Sequence, residues 1–113
     1  MLVTLQEILK TQRAVAAFNV FGYEDAISVV RTAEEMNRPV ILMTNKDCVN
    51  FIDIEIIGPM LVTMAKAAKV PVCVHLDHSK SKEDIERAIA AGYTSVMYDG
   101  SQLPFEENLR DTK

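Results

Sequence analysis

The sequence predicts an α/β fold built on a parallel sheet of four strands. Three observations carry this expectation. Short apolar runs alternate with amphipathic stretches of helical spacing along the 113 residues, the pattern of repeated strand–helix units. The runs are continuously apolar rather than alternating, as in strands covered on both faces. Polar residues able to do chemistry gather where those runs end, and α/β folds build their sites at the carboxyl ends of parallel strands.

Thr4-Leu5-Gln6-Glu7 is a capping box, in which the Thr hydroxyl and the Glu carboxylate satisfy free amides reciprocally. It predicts a leading helix over residues 4–12. Residues 14–20 follow as a first strand, buried on both faces. Ala26, Val29, Val30, Ala33 and Met36 recur at helical spacing over 23–37, with Glu24 and Asp25 in the first turn, where the helix dipole favours acids. Asn37 can close that helix, and Pro39 prevents its continuation. Residues 39–43 are the second strand.

Residues 44–57 match no single template. Residues 59–69 read as a helix with Met60, Val62, Met64, Ala65 and Ala68 available to pack, and 70–75 as the third strand. Ser81-Lys82-Glu83-Asp84 opens another helix, which Gly92 stops. Residues 94–98 are the fourth strand. Pro104 fits a first helical position, with Glu106 and Glu107 behind it. The six methionines occupy apolar positions and are expected in the core.

Four parallel strands suit either a small open sheet or half of an eight-stranded barrel, which typically needs about 250 residues. A last helix that only begins near Lys113 leaves sheet edges open. The expectation is a chain cut short, or one that pairs with another half.

Composition narrows the function. The chain is 49% hydrophobic and 25% charged, with 12 Lys and Arg against 16 Asp and Glu, a net charge of −4. No basic stripe or like-charge run appears, which argues against nucleic acid. No apolar run approaches the roughly 20 residues of a membrane helix, and the N-terminus is not built as a signal peptide. Cys48, in an expected loop, and Cys73, mid-strand, form no CxxC motif. A reducing cytoplasm is the simplest setting.

The richest stretch is Val72-Cys73-Val74-His75-Leu76-Asp77-His78-Ser79. It delivers a carboxylate and an imidazole to one sheet end, a pairing suited to metal-assisted proton transfer. His78 has metal-ligand potential, and equally the makings of a surface histidine. Asp77 suits a general acid/base or an acceptor for loop amides. His75 and His78 lie three apart, so on a regular strand they point to opposite faces and do not share an ion. Asp99, before Gly100-Ser101, is a second carboxylate or a turn residue. Asn19 and Asn45 follow the first two strands. No Gly-rich phosphate loop is present.

Ala17-Phe18-Asn19-Val20, Pro39-Val40-Ile41-Leu42, His75-Leu76-Asp77-His78 and Met97-Tyr98-Asp99-Gly100-Ser101 with Leu103-Pro104-Phe105-Glu106-Glu107-Asn108 resemble the class II, zinc-dependent ketose-bisphosphate aldolases, in order and across the whole chain. The resemblance implies the first half, about four βα units, of a TIM (β/α)8 barrel, so that residues 1–113 are incomplete as a domain. It implies reversible cleavage of fructose-1,6- or tagatose-1,6-bisphosphate to dihydroxyacetone phosphate and glyceraldehyde 3-phosphate, in a homodimer or homotetramer. By position, Asp77 matches the acid/base at the C4 hydroxyl, and His78 the first zinc ligand. Asp99 matches a carboxylate of a second metal position, and Asn19 a residue near the substrate. Asn45 falls where members usually carry Ser or Thr against the aldehyde half. The other zinc histidines, a glutamate and the phosphate loops of the family lie beyond position 113, so the isolated chain is expected to be inactive. The alternative is a non-catalytic half-barrel that self-associates as a structural or binding module.

Overall fold

The computed structural model describes all of residues 1–113. The chain runs α1 (Leu5–Ile8), β1 (Ala16–Asn19), α2 (Tyr23–Glu35), β2 (Val40–Thr44), α3 (Lys46–Phe51), α4 (Ile54–Ala67), β3 (Val72–Ser79), α5 (Lys82–Ala90), β4 (Ser95–Tyr98) and α6 (Phe105–Thr112). The strands form one parallel sheet in the order β1-β2-β3-β4. No helix is long and apolar enough to cross a membrane.

Strand periodicity divides the sheet into two faces. Val40, Leu42, Val72, Val74 and Leu76 point to the helices and pack with Val30, Ile57, Leu61 and Ala88 into the main core. The opposite face carries Ile41 and Cys73, which pack with Ile8 of α1 in a smaller cluster. The N-terminal segment closes the same end. Val3 N–H donates to Val72 O (2.9 Å) and Val72 N–H to Met1 O (2.8 Å), while the Thr94 hydroxyl donates to Val3 O (2.7 Å).

Local signals explain most boundaries. Thr4 and Glu7 form the capping box, but the helix lasts one turn. Asn37 adopts the left-handed conformation at φ 51°, and Arg38 N–H returns to Ala33 O (2.9 Å), the usual close of a helix. Ser81 caps α5 by accepting from Asp84 N–H (3.2 Å), and Gly92 ends it at φ 94°.

Several expectations are corrected. β1 is exposed at every residue, because it pairs only with β2, its inner face is bare and its helix-side residues Ala16 and Phe18 line an open groove beside α2. None of the six methionines is fully buried, and Met36 and Met97 are exposed. Residues 44–57 fold as α3 and the first turn of α4. Cys48 is therefore helical as well as buried, and both cysteines are free.

Pro59 lies inside α4 rather than at its start. It has no N–H to give the Glu55 carbonyl, yet the apolar run Ile54-Ile57-Leu61 anchors both sides of it in the core. Pro104 takes the cap position before α6 instead of the first helical one. β3 extends to Ser79, so Asp77 and His78 belong to the strand rather than to the loop after it.

α4 and α5 meet closely at Gly58. A Cβ there would stand 2.8 Å from Ala91 Cβ and 2.9 Å from Tyr93 Cε2. Tyr93 cannot retreat freely, because its hydroxyl shares a buried 2.8 Å hydrogen bond with Thr44 Oγ1. We expect Gly58→Ala to destabilise the fold by about 1–3 kcal/mol, as overpacking does. Gly22→Ala, whose methyl would meet only the Glu24 carboxylate at 3.7 Å, should cost less. Urea unfolding midpoints of the two variants check this.

Candidate active site

The site lies at the carboxyl end of the sheet, on the face away from the main core. Asn19, Met43, His75 and Ser95 are in register across the four strands, so their side chains share that face. Beyond this row the pairing slips. Leu76 pairs with Val96 and Ser79 with Tyr98, so that Asp77 and His78 of β3 stand against the single residue Met97 of β4. This is a β-bulge. It is formed where His78 takes a left-handed backbone, φ 50°, a conformation that costs a non-glycine residue on the order of 1–3 kcal/mol and clusters at functional sites.

The bulge overturns the expectation that His75 and His78 diverge. Regular alternation would send them to opposite faces, but the extra residue turns His78 back. His75 Nε2 lies 3.8 Å and His78 Nε2 3.9 Å from the same oxygen, Asp77 Oδ1. Two imidazoles thus flank one carboxylate.

His78 is fixed from the next strand end. Its Nδ1 is 2.9 Å from Asp99 Oδ2, and Asp99 Oδ1 accepts from Ser101 N–H (3.1 Å). Asp99 is therefore both the turn residue and the partner of an imidazole. Hydrogen bonds from Ser101 and His78 hold the Asp99 carboxyl well below the usual carboxylate range. The bond to Asp99, and then the charge of Asp77, raise the His78 imidazole. The arrangement leaves His78 Nε2 without a hydrogen bond on a side chain 61% exposed. A carboxylate behind one ring nitrogen that leaves the other free is how metal-binding histidines are held.

His75 is the reverse case. Its side chain is 11% exposed, its Nδ1 is 2.7 Å from Ser95 Oγ, and burial lowers its pKa. Nothing in the sequence beyond the His75–Ser95 register marked this pair, and register needs the fold.

The remaining candidates are placed differently. Asn19 is exposed at the end of β1, on the His75 face. Asn45 uses its side chain to accept from Cys48 N–H (3.1 Å) as the cap of α3. Beside it, Lys46 Nζ is 2.7 Å from Asp84 Oδ2, and Asp84 is also held by Arg87 (3.2 Å), which in turn pairs with Glu55 (2.7 Å). This chain of charges ties α3, α4 and α5 together next to His78. A cavity of about 260 Å³ opens there, lined by Lys46, His78, Lys80, Ser81 and Asp84.

A parallel sheet with a carboxylate, an oriented imidazole and a second carboxylate at its carboxyl rim is the arrangement of α/β barrel proteins, which gather polar groups at that end. The comparisons specify it. The family described as "Fructose-bisphosphate aldolase class-II" matches residues 1–113, so this chain belongs to the class II fructose-bisphosphate aldolase family. It is 43% identical over 117 residues to the fructose-bisphosphate aldolase of Thermus caldophilus, covering 100% of this chain and 38% of that protein. It is 38% identical to the one from Ureaplasma parvum, covering 96% and 38%.

Among solved structures, the YdjI aldolase of Escherichia coli K12 superposes with a TM-score of 0.88 at 37% identity, over 97% of this chain and 43% of that one. A fructose-1,6-bisphosphate aldolase described as putative, from Coccidioides immitis, gives 0.86 at 29% identity, over 94% and 43%. The chain spans well under half the length of these relatives. Its four strand–helix units are half of a TIM barrel.

The raised His78 pKa has a testable consequence. A raised folded value means that protonated His78 adds stability, fully present below the ordinary imidazole value of about 6.5 and lost as pH rises through the folded value. Asp99→Asn should bring the His78 NMR titration midpoint back down and remove that part of the stability below pH 6.5. An unchanged midpoint would mean that the Asp99 bond does not set the His78 charge.

Proposed function

We propose that this chain is the first half of a zinc-dependent class II aldolase barrel, incomplete as a domain by itself. The complete protein reversibly cleaves a ketose bisphosphate, fructose-1,6- or tagatose-1,6-bisphosphate, to dihydroxyacetone phosphate and glyceraldehyde 3-phosphate. The observation that carries this reading is Asp77 flanked by two imidazoles, with His78 held from behind by Asp99.

The residues present fit one corner of a zinc site. His78 offers Nε2 with its other nitrogen engaged, which suits a ligand. No group of three His, Cys, Asp or Glu in the chain is placed to hold an ion, and catalytic zinc takes three protein ligands. The rest of the shell therefore belongs to the second half. Zinc, when bound, supplies a Lewis acid that polarises the substrate carbonyl.

The chain's own residues do the remainder. His78 holds one ligand position, and Asp99 keeps its ring from turning. Asp77 takes the proton of the C4 hydroxyl during cleavage and returns it during condensation, as a positioned general base and acid does. Asn19, on the same face, lies where the substrate's polar groups pass. A groove of about 560 Å³ between β1 and α2, lined by Ala16, Phe18, Val29 and Met36 among others, is apolar surface for the second half to cover. The same groove favours the alternative of a self-associating half-barrel.

The polypeptide that carries this chain in its source cell should cleave fructose or tagatose bisphosphate and lose that activity to a chelator. Asp77→Asn should lower kcat by about 10²–10⁴-fold with zinc content unchanged, and His78→Ala should lose the zinc. The 113-residue chain alone should be inactive. Chelator-resistant cleavage, or turnover by the isolated chain, would sink this reading. A stable, inactive oligomer of the isolated chain as the natural product would establish the self-associating alternative.

A further inference from the structure

We propose that Ser95 and His75 are a buried positioning pair for Asp77: the Ser95 hydroxyl fixes His75 as its Nε2–H tautomer, that N–H faces Asp77 Oδ1, and Oδ2 is left as the oxygen that moves the proton. The role of Oδ2 rests on the aldolase reading; the tautomer and the orientation do not.

Distances and electrostatics carry the argument. His75 Nδ1 and Ser95 Oγ are 2.7 Å apart, and either atom can donate. The far nitrogen, Nε2, stands 3.8 Å from Asp77 Oδ1. If Nδ1 carried the hydrogen, the lone pair of Nε2 would face the carboxylate, with two electron-rich atoms opposed in a partly buried place. If Ser95 donates instead, Nε2 carries the hydrogen and turns the positive end of its N–H dipole to the carboxylate. The second arrangement satisfies Nδ1, faces the carboxylate with a favourable dipole and needs no charge on the ring. Neutral imidazole has one donor and one acceptor nitrogen, and the bond at one decides the other. Burial keeps the ring in that neutral form.

The gap of 3.8 Å is longer than a hydrogen bond. Catalytic hydrogen bonds are often long without substrate and tighten in the complex. His78 Nε2 stands 3.9 Å from the same oxygen. Both rings thus approach Oδ1, while Oδ2 has no partner among the chain's hydrogen bonds and salt bridges. Ser95 reaches this place because it is the register partner of His75 on β4. His75 is held from one strand and itself holds a residue two positions further along its own.

In the full polypeptide that carries this chain, ¹⁵N-histidine labelling, with His75→Gln and His78→Gln variants to assign the two signals, reads each ring separately. Near neutral pH, long-range ¹H–¹⁵N correlations should show His75 protonated at Nε2 and bare at Nδ1. Ser95→Ala should bring in the Nδ1–H form, with the His78 signals unmoved. Three-bond couplings of Asp77 should report a single χ1 rotamer in the native chain. That rotamer should persist in His75→Gln, whose amide keeps a donor, and average in His75→Leu.

A native His75 protonated at Nδ1 would overturn the proposal, as would an Asp77 rotamer indifferent to His75→Leu. If His75→Leu does not fold, Ser95→Ala decides alone: averaging of the Asp77 rotamer supports the pair, and an unmoved rotamer refutes it. None of these readings needs substrate or metal. Their failure therefore leaves the aldolase reading standing, and loss of that reading leaves the tautomer measurable.

Discussion

The bulge at the end of β3 is the constraint on which the site depends. A regular strand cannot place residues 75, 77 and 78 around one point, because successive side chains leave opposite faces. One extra residue and one left-handed backbone at His78 bring two imidazoles and a carboxylate together. That conformation is costly for a histidine, so neighbours must hold it. Asp99 does so from β4 through the 2.9 Å bond to Nδ1, and Asp99 N–H donates to Ser79 O at 2.7 Å just past the bulge. The residue that orients the ring through its side chain thus also ties down, through its backbone, the strained segment beneath it.

The two faces of the sheet are asymmetric for a related reason. The helix-facing residues are packed and nearly dry, whereas those of the inner face are sealed only at the amino end, by α1 and the Met1–Val3 segment. Moving up that face, the row changes from Ile41 and Cys73 to Met43, His75 and Ser95, and then to Asp77. Apolar filling gives way to polar function within two residues of each strand. In a closed barrel such layering gives a packed floor and a reactive mouth. The exposure of Met97 and of all of β1 follows from a floor and mouth with half a wall.

Much of this was legible in the sequence, and the failures have physical causes. Alternation of apolar runs and helical spacing showed four strands in order, because burial writes periodicity directly. It overstated the burial of β1 and the methionines, because an edge strand with no second neighbour has the same composition as a central one. Pro59 was misplaced because proline at a helix start and proline tolerated inside an apolar helix look alike locally. Asp77, His78 and Asp99 could be nominated from short strings at strand ends, and the structure brings the three together. His75 was set aside on correct strand geometry that the bulge then broke, and Ser95 was invisible because its importance is a register, a relation between strands.

The division of groups along the chain has a chemical logic. Under the function proposed above, His78 supplies one nitrogen to a metal shell whose other ligands come from outside this chain, whereas the groups proposed to orient Asp77 lie within twenty residues of it, on adjacent strands. A proton-moving carboxylate must be placed to within a fraction of an ångström, and adjacent hydrogen-bonded strands hold their residues more tightly than elements across a barrel can. A metal ion, by contrast, draws distant ligands together by itself. On that proposal, local strands set the carboxylate, and long-range ligation would close the barrel around the ion. By that logic the β3–β4 pair is the unit whose geometry the reaction tolerates least.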